Sequence, residues 1–88
     1  MPKPIQVDLL NPHTADEISG RMIEKLPKAA FCDVLDVALA LDVSKTHVYQ
    51  LLEAGRISGL NIGVMERPYW RIDRQSVVTF LRNRAQGL

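Results

Sequence analysis

Residues 33–55, DVLDVALALDVSKTHVYQLLEAG, constrain the fold more than any other part of the chain. They hold two helical patterns separated by a break of about three residues. In the first, Asp33 can cap the helix, and Val34, Val37, Ala38 and Leu41 fall on one face at i, i+3, i+4 and i+7. In the second, Ser44 can cap, Val48, Leu51 and Leu52 form the inner positions, and Gly55 is placed to close the last turn. Asp42 stands where the chain must turn sharply, and aspartate tolerates the left-handed conformation, though less readily than glycine. So short a break forces two short helices into a steep crossing. Ala38 leaves the second helix room to approach.

The outer face of that second helix carries Lys45, Thr46, Tyr49 and Gln50, which a purely structural helix does not need. Such side chains suit a nucleic-acid groove. Gln50 can bond adenine in bidentate fashion, Lys45 can reach phosphate or guanine, and Thr46 can meet a thymine methyl. Ser44, beyond its role as cap, can share a phosphate with the helix N-terminus. His47 divides evenly between a phosphate contact and a plain surface residue, and Tyr49 can equally pack over the hairpin that follows. A solvated helix face is the bland alternative, and the frame of crossed helices favours the reading of DNA.

Charge supports the same direction. Residues 1–43 carry four basic and seven acidic side chains, a balance of −3, whereas residues 44–88 carry seven and three, a balance of +4. Six of those seven bases are arginine, whose planar fork fits phosphate and guanine edges. A polarised distribution is a stronger footprint for nucleic acid than the net charge of +1.

The flanking sequence completes the organisation. Residues 4–10 alternate Ile5, Val7 and Leu9 with Gln6 and Asp8 and predict a short strand, ended by Asn11 and Pro12. His13 reads as loop. Thr14 and Glu17 form a capping-box pattern for an amphipathic helix over residues 15–26, with Ile18, Met22, Ile23 and Leu26 as its stripe and Pro27 as its stop. After Gly55 the period becomes two. Leu60 and Ile62 are expected on one side, mirrored by Trp70 and Ile72 across a loop of several residues, GVMERP. Arg71 then stands on the outer face, suited to a backbone contact, with Arg67 at the tip as a minor-groove candidate and Trp70 in the core. Asp73 caps a last helix with Val77, Phe80 and Leu81 inward, and the trailing RNRAQGL is polar enough to fray.

Several classes are disfavoured. Eighty-eight residues make one small domain, without room for a buried catalytic cavity with lids. No glycine loop cradles phosphate, no histidines stand at ligand spacing, and no nucleophile has an evident base, so neither an enzyme, a cofactor nor a metal is expected. The lone Cys32 reads as a small buried hydrophobe beside a helix start. It allows no internal disulfide, which with the lack of a spanning segment or a signal peptide's apolar run points to the cytoplasm and to no membrane.

VALALDVSKTHVYQLLEAGRISGLNIG followed by YWRIDRQSVVTFL resembles the excisionase-type, MerR-like winged-helix domains over about residues 33–84. The family's leucine-glycine-valine-serine is matched by Leu41, Asp42, Val43 and Ser44, with aspartate in the glycine's place. Val48, Tyr49 and Gly55 follow in the recognition helix, and Trp70, Arg71 and Ile72 close the wing. The resemblance implies a mainly helical α+β fold, a winged helix-turn-helix with a two-stranded hairpin wing. Residues 31–88 would form that domain, and residues 1–30 an N-terminal strand and helix extension that braces it or helps it oligomerise. It further implies a small sequence-specific protein of a phage, plasmid or other mobile element. Such proteins direct recombination toward excision or regulate transcription, bind double-stranded DNA as homodimers or cooperative oligomers, and can partner an integrase or recombinase. The expected DNA-binding residues are Ser44, Lys45, Thr46, His47, Tyr49, Gln50, Arg67 and Arg71. Two other functions fit the pattern: a packaging adaptor of the terminase small-subunit type, which normally appends a long oligomerisation helix, and an interaction module that has lost DNA binding.

Overall fold

The computed structural model describes residues 12–87. These form α1 (Pro12–Lys25), β1 (Phe31–Cys32), α2 (Val34–Leu41), α3 (Lys45–Glu53), β2 (Gly59–Asn61), β3 (Trp70–Asp73) and α4 (Arg74–Ala85). The mainly helical α+β architecture is that of a winged helix-turn-helix. The strand expected at residues 4–10 lies outside the described residues.

The central helix pair follows its capping chemistry. Asp33 accepts from the Asp36 N–H at 2.8 Å, and the Asp36 carboxylate accepts from the Asp33 N–H at 3.0 Å, a complete capping box. Asp42 closes α2 in the left-handed region at φ 58°. The Val43 and Asp42 N–H groups donate back to the carbonyls of Ala38 and Leu39, a Schellman closure. Two residues later Ser44 starts α3, its hydroxyl accepting from the His47 N–H at 3.1 Å. Gly55, at φ 73°, ends α3 with the same pair of closing bonds, Arg56 to Leu51 and Gly55 to Leu52. Val37, Val48, Ile72 and Val77 are fully buried where α2, α3, β3 and α4 meet. Ala38, also buried, gives α3 its close approach.

α1 begins earlier than expected. His13 and Thr14 lie inside it, so His13 is not loop and Thr14 is not the residue that caps the helix. Helix α1 packs on α4 and α2, with Leu26 buried in the common core and Met22 and Ile23 beside it. The connection to β1 is bolted by Arg74, whose Nε donates to the Pro27 carbonyl at 2.8 Å and whose backbone N–H donates to Ala30 at 3.0 Å. At the other end of the chain, α4 continues through Arg82, Asn83 and Arg84 to Ala85, so the helix takes in most of the stretch expected to fray.

The hairpin gains a third strand, giving the order β1-β3-β2. Its register corrects the expected facing of the wing. Gly59 pairs with Ile72, Leu60 with Arg71 and Asn61 with Trp70, so Leu60 shares the outer face with Arg71. A shift of one residue exchanges every side chain between faces. Leu60 and Ile62 are exposed accordingly, while Trp70 is half-buried against the core. Gly59 leaves little room for a side chain: a Cβ would lie 3.2 Å from both Leu52 Cδ2 and the Arg71 carbonyl oxygen, tight enough that those neighbours would have to give.

Cys32, 1% exposed, donates its thiol to the Ile72 carbonyl across the β1–β3 pair at 3.7 Å. Burial, reinforced by the Asp36 and Asp33 carboxylates, pushes the thiol from 9.0 up to about 11. Above 9.0 the unfolded chain gives up its thiol proton while the native state keeps it, so this contribution to stability, complete below 9.0, is lost between 9.0 and about 11. Alkylation of Cys32 near neutral pH is therefore expected only through opening of the core, with a rate that rises with denaturant as global unfolding does. Labelling of native protein at the rate of a free thiol would contradict this burial.

Candidate nucleic-acid interface

α3 separates an anchored side from an open one. Val48 is fully buried, and Leu51 and Leu52 pack against the core cluster. Ser44, Lys45, Thr46, His47 and Gln50 are all exposed, a run of donors and acceptors over the first two turns. Gln50 lies one turn beyond Thr46, so both project from the side away from Val48. Tyr49 is half-buried with its side chain against the core cluster, the packing alternative open to it. The Ser44 hydroxyl is held as a cap yet remains exposed. At the far end of α3, Leu52 fits against Gly59, so the wing docks on the helix through an absent side chain.

The wing is tighter than its sequence suggests. Beyond β2 the pairing continues as Ile62 donates to the Tyr69 carbonyl at 2.9 Å, and Val64 and Arg67 exchange backbone bonds of 3.1 and 3.0 Å. The expected loop of several residues therefore shrinks to a turn at Met65 and Glu66. Asn61 Oδ1 accepts from the N–H groups of Gly63 (3.0 Å) and Tyr69 (2.9 Å), spanning the hairpin where regular pairing lapses. Gly63 is required there, since a Cβ would stand 2.6 Å from the Tyr69 nitrogen and closer still to the Arg67 carbonyl oxygen.

Arg67 flanks the tip and is exposed. Arg71 lies on the outer face, its Nη1 donating to the Tyr69 hydroxyl at 2.9 Å and its guanidinium 5.4 Å from the centre of that ring. Tyr69 thus orients an arginine before any partner arrives, a role that its sequence position did not signal. Among the described residues, Lys45, Arg56, Arg67 and Arg84 have no acidic partner, which leaves their charge available to an anion. Arg56 and Arg84 were signalled only by the arginine excess of the second half. Arg74 serves the fold instead, as the bolt to Pro27.

No three His, Cys, Asp or Glu side chains among the described residues are grouped to hold a metal ion. No helix among them is long and apolar enough to cross a membrane. The arrangement offers binding chemistry: an exposed polar helix face, a rigid hairpin beside it, and unpaired cations.

The chain matches the family model described as a helix-turn-helix domain over residues 31–85. No curated protein and no solved structure matches it. The matched span runs from β1 to the end of α4 and takes in the α2–α3 pair, both capped turns and the wing. With more than half its length and the whole of that frame inside the match, the chain belongs to the helix-turn-helix domain family, a class of small DNA-binding modules.

Proposed function

We propose that this is a sequence-specific DNA-binding protein of a mobile element, acting as an excisionase-like recombination directionality factor, a transcriptional regulator, or both. The observation that carries the reading is α3: a helix fixed by fully buried Val48 that turns Lys45, Thr46 and Gln50 outward in a helix-turn-helix frame. In this reading α3 enters the major groove, where Gln50 and Thr46 read base edges and Lys45 reaches phosphate or guanine. Ser44 and His47 meet the backbone at its N-terminal end, and Tyr49 contributes from the edge of the face. Arg71 contacts the backbone from the wing and Arg67 approaches the minor groove. Residues 31–88 are the binding domain, braced by residues 1–30. Assembly as a homodimer or cooperative oligomer on DNA, and an integrase or recombinase as protein partner, complete the proposal.

Footprinting on the DNA of the gene's own element tests it, and a protected, salt-sensitive site is expected. With roughly four to six phosphate contacts per subunit, the log-log salt dependence of affinity should have a slope on the order of −4 to −5. A flat dependence sinks the reading. A second reading, an interaction module, is favoured by one specific observation: Leu60, Ile62, Val64 and Met65 are all exposed on the wing, Met65 at 95%. In that case pull-down of a protein partner would depend on these residues while DNA affinity stayed weak and indifferent to sequence.

A further inference from the structure

Past the C-terminal end of α3 the chain forms an open cleft of about 480 Å³. Arg56 stands on one wall, and Gln75, Thr79 and Asn83, on one side of α4, form the other, with Arg84 at its edge. The loop that carries Arg56 is tied down, since the Ser58 N–H donates to Ser76 Oγ at 2.9 Å and that hydroxyl donates to the Asp73 carbonyl at 2.7 Å. The acid at the cleft, Asp73, is already engaged as the α4 cap, accepting from the Gln75 N–H at 3.2 Å. Thr79 accepts from Gln75 Nε2 at 3.3 Å, which leaves the hydroxyl proton free to donate outward. Neither Arg56 nor Arg84 has an acidic partner among the described residues. Two cations and a set of uncharged donors thus converge on one open space.

The geometry points to a backbone-phosphate site here, gripping the DNA strand opposite the one met at Ser44. The inference rests on α3 as the groove-entering helix. Nine residues make α3 about 13 Å long, and the major groove is about 12 Å wide. A helix of that length laid across the groove brings its two ends to the two sugar-phosphate backbones. Ser44 and the free N–H groups serve one end. A helix C-terminus repels anions, so the other end needs added positive charge, and Arg56 and Arg84 supply it.

Arg84 also stands on the ridge of an apolar groove lined by Ile18, Met22 and Leu81, so its stem is best kept in any test. Arg56→Ala and Arg84→Met are expected to weaken binding to target and scrambled DNA by the same factor, each lowering the salt slope by about one. Arg82→Ala supplies the control, because Arg82 borders a different groove, beside Asp16 and Ile23 of α1. It should leave the slope unchanged, and unaltered far-UV circular dichroism would verify all three folds. If wild type binds its site with the expected slope and the Arg56 and Arg84 variants keep it, the cleft is not a phosphate site. Equal losses for Arg82→Ala would overturn it too, by reducing the effect to net charge. Failure of wild type itself to bind DNA with salt dependence would instead remove the underlying reading of α3, and the cleft assignment with it.

Discussion

Replacing Ile72 with alanine is expected to destabilise the domain by about 2 to 5 kcal/mol, measured as a shift in the denaturant midpoint at constant slope. Ile72 is fully buried at the centre of β3, the middle strand. Its neighbours across the sheet are Cys32 on one side and Gly59 on the other. Glycine has no side chain to lean into the vacancy, and Cys32 is tied by its thiol to the Ile72 carbonyl. The cavity should therefore stay largely open, which places the cost in the upper part of the range. A domain of this size has only about 5 to 15 kcal/mol to lose, so much of the variant could be unfolded at physiological temperature. A loss below about 1 kcal/mol would mean that the helices do not close on the sheet as described.

Gln50→Ala should cost about 1 to 3 kcal/mol on the preferred DNA site and relax the choice of base there. Non-specific binding should hardly change, because glutamine neutralises no phosphate. Arg71→Ala should do the reverse, weakening all DNAs alike and lowering the salt slope by about one. Both variants should fold. Gln50 is exposed, and the side-chain contact made by the Arg71 guanidinium is with Tyr69 on the same strand face. Competition with target and scrambled DNA reads the pair in one experiment. Equal losses on both DNAs for Gln50→Ala would refute the assignment of α3 as the recognition helix.

The helix pair was legible because its determinants are local. Asp33, Ser44 and Asp73 were recognised as caps, and Asp42 and Gly55 as turning points, from neighbours within one helical turn. The buried stripe of Val34, Val37, Ala38 and Leu41 followed from spacing alone. What escaped depends on contacts between distant segments. Strand β1 has only two residues, and its pairing partners lie about forty positions away. The wing register is set by the fit of Gly59 to Leu52 and by Asn61 bridging the hairpin, neither of which leaves a periodic trace. Leu60 and Ile62 were matched to the side of Trp70 and Ile72 because alternation marks a strand without fixing its register. In the candidate site, residue types on α3 were readable, whereas the hold of Tyr69 on Arg71 needed the strand in three dimensions.

The division of α3 into an anchored and an open side has an evolutionary corollary. Lys45, Thr46 and Gln50 carry no packing duty, and the cap at Ser44 needs only a small oxygen-bearing side chain. If α3 reads DNA as proposed, drift at those three positions would rewrite the molecule's address without touching its scaffold. Length is under the opposite constraint. Inserting or deleting one residue inside the turn between Asp42 and Ser44 would break its closing bonds to Ala38 and Leu39 and shift α3 on α2, pulling Val48 from the core. On that reading, descendants of such a chain would change what they recognise by substitution, while gaps in their alignments should gather at the wing tip and avoid the turn.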